Sequence, residues 1–180
     1  MDAERFFVIT GGPGSGKSTL IDMLRARNFS TAPEAGRGII RAQRAVEGPA
    51  LPWRDPALFA ELMLSWEMRS HAAAREAPGP VFFDRGVPDT IGYLRLVGLP
   101  VPAHMMRAAE TVRYNRRVFV APFWPQIFRQ DAERRQTAQE AERTCAVMVD
   151  VYAELGYEPV ALPCVPVDER LRFVLSGAGL

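Results

Sequence analysis

Residues 8–24 read VITGGPGSGKSTLIDML: an apolar run, a burst of glycines, then Lys-Ser-Thr and a helical pattern. Gly11, four further residues, then Gly16-Lys17-Ser18 match G-x-x-x-x-G-K-[ST], the pattern of a phosphate-binding P-loop. Glycines let such a backbone turn tightly and aim successive N–H groups at phosphate oxygens. The helix that follows adds its positive N-terminal end. In that geometry Lys17 reaches the outer phosphates of a nucleotide and the Ser18 hydroxyl ligates Mg²⁺. The candidate nucleotide-binding set is Gly11, Gly12, Pro13, Gly14, Ser15, Gly16, Lys17, Ser18 and Thr19. At average residue frequencies the four fixed positions arise by chance in under about 1% of chains this long. The competing reading is a glycine turn with an incidental lysine. What the loop leaves open is the fate of the phosphate: cleaved by water, transferred, or only sensed.

Outward from the loop, strands and helices alternate. The stretch 6-FFVIT-10 does not alternate apolar with polar, so it predicts a strand buried on both faces. A helix follows from Lys17 to about Arg27, then a short strand near 29-FSTAPE-34 that Pro33 ends. Helical residues occupy 37–47, and 48-GPALP-52 breaks them. Asp55 before Pro56 is a helix start, a capping carboxylate followed by a proline at the first helical position. Phe59, Leu62, Met63, Trp66 and Ser70 then recur at helical spacing, read as a core-facing stripe and not a cofactor site. A strand at 81-VFFD-84, helices near 88–96 and 102–113, and a strand at 117-RVFVA-121 follow. Polar residues 126–137 lead to a long helix with a stripe of Ala141, Cys145, Met148, Tyr152 and Leu155, ended by Gly156. A strand near 158–162 and a helix near 168–175 complete the pattern. Such alternation predicts an α/β fold with a parallel sheet covered on both faces. No repeat, linker or low-complexity segment divides the 180 residues, so a single domain spanning 1–180 is expected.

Composition narrows the classes. With 48% hydrophobic and 24% charged residues the chain is of ordinary globular type, neither disordered nor membrane-inserted. A net charge of +1 argues against a broad nucleic-acid coat. Cys145 and Cys164 lie far apart without metal-ligand spacing, and the N-terminus lacks a signal peptide, so a reduced, cytoplasmic location is the simpler expectation. His71 and His104 have no ligand-spaced neighbours and are read as structural or surface residues.

Three further groups carry candidate chemistry. Asp84 ends a strand, and in a parallel sheet strand C-termini crowd the phosphate crevice, where a carboxylate can hold Mg²⁺ or accept a proton. A capping aspartate would look the same. Arg85 follows it and is placed at the same rim, as a substrate or phosphate contact or as a plain surface residue. Glu34 and Arg37, in 33-PEAGR-37, follow the second strand: a carboxylate to orient or deprotonate a hydroxyl and an arginine to grip an anion, or simply a helix start. Arg129, Arg134 and Arg135 make three arginines within seven residues. They read as a lid that brings positive charge and shuts out water, or as a solvated helix paired through Glu133 and Asp131.

No Asn-Lys-x-Asp base-reading element is present, and 89-DTIG-92 lies beyond its strand and is read as a chance match. The segments GGPGSGKS, PEAGR, FFDRGVPDTIGYLRLVGLP, FWPQIFRQDAERRQT and GYEPV together resemble a family of small bacterial P-loop ATPases with an AAA-type domain, similar to nucleoside and nicotinamide riboside kinases. The resemblance spans nearly the whole chain. It implies a three-layer P-loop fold with a five-stranded parallel sheet and an arginine-rich lid. It also implies ATP over GTP, with Gly11 to Thr19 on the phosphates and Mg²⁺. Asp84 and Arg85 fall at the catalytic centre, Glu34 and Arg37 toward the substrate, and Arg129, Arg134 and Arg135 in the lid. Asp-Arg-Gly stands where nucleoside kinases often carry an acidic-Arg-Ser element, which leaves the acceptor open. The expected activity is transfer of the ATP γ-phosphoryl group to a small, nucleoside-like hydroxyl acceptor. The alternative is a slow ATPase that reports its nucleotide state to a protein partner. A polynucleotide end kinase is disfavoured by the near-neutral charge.

Overall fold

The first strand, β1 (Phe6–Gly11), is buried along its whole length, as its unbroken apolar run requires. The computed structural model describes residues 2–128 and 137–180. After a 3₁₀ turn at Asp2–Arg5, β1 leads through the loop to α1 (Lys17–Ala26), then β2 (Ser30–Ala32), α2 (Ala35–Ala45) and α3 (Pro56–Ala74). The next elements are β3 (Val81–Asp84), α4 (Val87–Leu96), α5 (Ala103–Thr111) and β4 (Arg117–Ala121). The described chain closes with α6 (Ala138–Glu154), β5 (Glu158–Ala161) and α7 (Val167–Gly177). The second strand is shorter than the sequence reading, because Pro33 and Glu34 already turn the chain into α2.

The five strands are all parallel and lie in the order β2-β3-β1-β4-β5. Successive residues of each central strand point to opposite faces. Phe6, Val8, Phe83 and Val118 pack with Leu64, Ile91, Met105 and Tyr152 from α3 to α6. Phe7, Ile9, Phe82 and Phe119 pack on the other face with Leu20 and Leu24 of α1 and Leu171 and Val174 of α7. Each such fully buried side chain contributes roughly 1.5–3 kcal/mol, which is why neither helical layer can be stripped from the sheet.

Helix ends follow the local chemistry. Asp55 accepts a 2.9 Å bond from the Leu58 N–H, with Pro56 in the first turn. Thr137 and Glu140 cap α6 reciprocally: Thr137 Oγ1 accepts from Glu140 N at 3.2 Å and Glu140 accepts from Thr137 N at 2.6 Å. On α6 the buried positions are Ala141, Thr144, Met148, Val151 and Tyr152, with Cys145 only half-buried. His71 is buried against the Arg113 carbonyl at 2.9 Å, and His104 lies at the surface beside Glu61, so both are structural.

The topology places the site. β1 sits between β3 and β4; its own connection runs past β3 to β2, while the connection from β3 crosses to β4 on its other side, and this reversal opens a crevice at the strand C-termini. Ile9 is in register with Asp84 and Gly11 with Ala121. The phosphate loop therefore starts at the sheet edge where β3 delivers Asp84.

Candidate functional site

The loop between β1 and α1 is built around glycines that nothing larger can replace. Gly11 has φ 127°, and a Cβ there would strike the Ala121 carbonyl oxygen; at Gly12 it would strike the Ala141 carbonyl oxygen. Lys17, buried at the start of α1, donates to the Gly12 carbonyl at 2.6 Å, to Gly11 O at 3.3 Å and to Ser15 Oγ at 3.2 Å. Ser15 in turn donates to Gly12 O at 2.8 Å. Ser18 and Thr19 stand exposed in the first helical turn. Arg170 of α7 braces the loop from behind: Nη1 donates to Ser15 O at 2.7 Å, Nε to Pro163 O at 2.9 Å, and the guanidinium lies 4.8 Å from the Trp124 ring centroid. No local motif marks Arg170, which comes to Ser15 from 155 residues away.

Asp84 ends β3 with its carboxyl buried, and its Oδ1 has no hydrogen-bond partner among the described residues. Burial first, then the nearby Glu34 carboxylate, raises its pKa from 3.8 to about 6, against the pull of Lys17 and Arg85. Arg85 takes the left-handed backbone conformation, φ 76°, and donates its own N–H to Ile9 O at 3.1 Å. That conformation costs an arginine of order 1–3 kcal/mol and turns the side chain inward, where a surface arginine would point to water. Its Nη1 donates to Asp89 Oδ1 at 2.9 Å and its Nε to Glu34 Oε1 at 3.3 Å. Burial works against the guanidinium's charge, yet Glu34, Asp89 and Asp84 hold its pKa above the ordinary value.

Glu34 occupies the N-cap position of α2 but makes no capping bond; its buried carboxylate instead reaches Arg85, and Arg37 Nε meets Glu34 Oε2 at 3.3 Å. Glu34 is thus brought to Asp84 and Arg85, whereas Arg37 is more than a third exposed and stays off the cavity wall described below. Arg129, Arg134 and Arg135, expected from the sequence to form a lid, lie outside the described residues, and so does Glu133.

Besides Arg170, two residues escaped the sequence reading. Asp89, set aside with 89-DTIG-92, is the hub of the site. It accepts from Thr10 Oγ1 at 2.5 Å, Tyr152 OH at 2.7 Å, Arg85 Nη1 at 2.9 Å and the Gly86 N–H at 3.0 Å. Its position four residues after Arg85, in the first turn of a helix opened by Gly86 and Pro88, was the available signal. Glu67 is buried in α3, where burial and then Asp89 and Asp84 push its pKa well above the usual carboxylate range.

A cavity of about 350 Å³ opens onto this network. Glu34, Arg85, Asp89 and Pro13 line it together with Ile40, Trp53, Phe59, Met63, Tyr93 and Met148; Glu140 and Thr144 complete the wall. Phe59 and Met63, read from periodicity as core, are buried in a core cluster with Ile39, Ile40 and Leu51 and also border this space. The size and apolar lining fit a small organic ligand.

The residues also fit Mg²⁺, a hard cation that keeps several waters and takes few protein oxygens. The unpartnered Asp84 Oδ1 and the exposed Ser18 hydroxyl are donors of that kind. Among the described residues no larger His, Cys, Asp and Glu cluster suited to a metal is found.

An AAA domain family model matches residues 6–170. The chain belongs to this AAA domain family. Solved structures show how this AAA domain is folded. It is similar to the NadR protein, solved in complex with NR, at a TM-score of 0.70 and 18% identity over 98% of this chain and 52% of that one. The chain therefore spans about half the length of that protein. It is similar to deoxyadenosine kinase from M. mycoides (TM-score 0.68, 11% identity, 97% and 98% of the two chains). It is also similar to thymidylate kinase from Ehrlichia chaffeensis (TM-score 0.67, 12% identity, 99% and 100%). No curated protein matches the chain. The expected α/β fold with a five-stranded parallel sheet flanked by helices is thus the observed one. No helix among the described residues is long and apolar enough to cross a membrane.

Proposed function

We propose that this AAA domain protein is an ATP-dependent phosphotransferase that moves the γ-phosphoryl group to a hydroxyl of a small acceptor held in the cavity. One observation carries the reading: the cavity ends on Glu34, Arg85 and Asp89, beside Asp84 and the phosphate loop, so donor and acceptor sides meet at one edge of the sheet. In this proposal Gly11 to Thr19 cradle the phosphates through backbone N–H groups, and Lys17 leaves its carbonyl partners for the β and γ oxygens. Ser18 and Asp84 would hold Mg²⁺, which supplies charge neutralisation on the transferring group. Arg85 is pinned by two carboxylates and faces the cavity as a positioning group for the acceptor. The acceptor oxygen forms a bond to the γ-phosphorus as the bond to the β-phosphate oxygen breaks, and ADP leaves. The hydroxyl proton passes to a carboxylate. Glu34, which lines the cavity, is placed to take it, or Asp84 where that carboxylate is not engaged with Mg²⁺. Arg129, Arg134 and Arg135 would close over the phosphates as a lid.

The test is to incubate the protein with Mg²⁺, ATP and a pool of small metabolites, following ADP release and new masses heavier by one phosphoryl group. Acceptor-dependent ADP release with a matching product is expected. Slow, acceptor-independent release would favour a nucleotide-dependent binding module instead. Lys17→Ala should abolish ATP binding and turnover, and full activity in that variant would overturn the phosphate-loop assignment.

A further inference from the structure

The fold does not decide which step such an enzyme performs, since its solved neighbours include kinases named for deoxyadenosine, a nucleoside, and for thymidylate, already a phosphate ester. The cavity does discriminate. Its charged wall consists of Glu34, Asp89 and Glu140 against a single described cation, Arg85. Arg85 is already committed, donating to Glu34 at 3.3 Å and to Asp89 at 2.9 Å. An acceptor bringing its own phosphate would add a dianion to a wall with three carboxylates, and the two described arginines at it, Arg85 on the wall and Arg37 behind Glu34, are both already paired with those carboxylates. Like charges brought together in such a site cost several kcal/mol.

The rest of the wall is chosen for a flat apolar body. Phe59 and Tyr93 meet edge to face at 5.3 Å, and Trp53 joins them while remaining 57% exposed. The Arg44 guanidinium lies 5.1 Å from the Trp53 ring centroid, and the part of the indole still open to water is a surface on which a ligand ring can lie.

We infer that the acceptor is an unphosphorylated, neutral or cationic ring-bearing alcohol of nucleoside type, held against Trp53, Phe59 and Tyr93 with its hydroxyl toward Asp84. This rests on the phosphotransferase reading above and narrows it to the first phosphorylation of the acceptor. The product, a phosphate monoester, is itself repelled by Glu34, Asp89 and Glu140, which favours its release.

The experiment is calorimetric titration of the protein saturated with Mg²⁺ and a non-hydrolysable ATP analogue. The probes are a panel of ribonucleosides, a pyridinium riboside among them, and the 5′-monophosphate of each. At least one nucleoside should bind, and its monophosphate should bind about 100-fold more weakly or worse. A monophosphate that binds as tightly as its nucleoside, or a panel in which no nucleoside binds while the ATP analogue does, overturns the inference. Failure of the ATP analogue to bind would instead remove the phosphotransferase reading itself. Trp53→Ala, a change at an exposed side chain, should weaken the bound nucleoside by about 10-fold or more and leave ATP-analogue binding unchanged. Unaltered nucleoside affinity in that variant would overturn the role given to the ring wall.

Discussion

Asp84→Asn should make the protein more stable at neutral pH while stopping transfer. The native carboxyl is buried and its pKa is raised from 3.8 to about 6. At about 1.4 kcal/mol per tenfold in proton affinity, ionised Asp84 costs the fold about 3 kcal/mol at neutral pH. The folded protein holds this proton more tightly than the unfolded chain does. The wild type therefore loses stability as pH rises from about 4 to about 6 and levels off above that. Asparagine has the same shape and no charge to desolvate, and burying its amide returns about 1 kcal/mol of the gain. The net expectation is about 2 kcal/mol at pH near 7.5, a melting temperature higher by roughly 4–8 °C for a chain of this size. The assay is urea unfolding of both proteins without Mg²⁺ or nucleotide, at pH near 7.5 and near 4.5. The advantage of the variant should shrink to nothing or reverse at the lower pH. A variant less stable than wild type at pH near 7.5, or a difference independent of pH, would refute the argument that Asp84 is a strained, unpartnered carboxylate.

Asp89→Ala should have the opposite effect on stability, because it leaves Tyr152, Thr10 and the Gly86 N–H without an acceptor and strips a partner from buried Arg85. Removing one side of a buried pair of this kind costs about 3–5 kcal/mol, and a urea-unfolding loss below about 1 kcal/mol would show that the hub does not bind the layers together. Gly11→Ala places a Cβ against the Ala121 carbonyl at φ 127° and should abolish ATP-analogue binding while lowering the melting temperature by several degrees. A variant that binds the analogue normally would contradict the loop geometry.

What could be read directly from the chain was what is local in it. The phosphate loop is a run of adjacent residues whose glycines each answer a steric demand, and Asp84 stands out as the acid ending a short apolar strand. Asp89 did not stand out, because its meaning is set by Thr10, 79 residues away, and Tyr152, 63 residues away. Parallel pairing of β1 with β3 and packing of α4 on α6 create that meeting, and spacing within 89-DTIG-92 carries no trace of it. The α3 stripe is core as its spacing says, but it is also more than that. Helical periodicity reports which face is withheld from water, not whether a cavity borders that face. Phe59 and Met63 pack in the core with Ile39 and Leu51 and also border a cavity that the spacing does not signal, while Glu67 and His71 break the apolar pattern on the deeply buried face of the same helix. Charge shows the same gap between sum and place. A net of +1 over 180 residues weighs against a nucleic-acid coat, yet within the site Glu34, Asp84 and Asp89 gather around one buried arginine. It is that local excess of carboxylates, invisible in the total, that bears on which acceptor can enter.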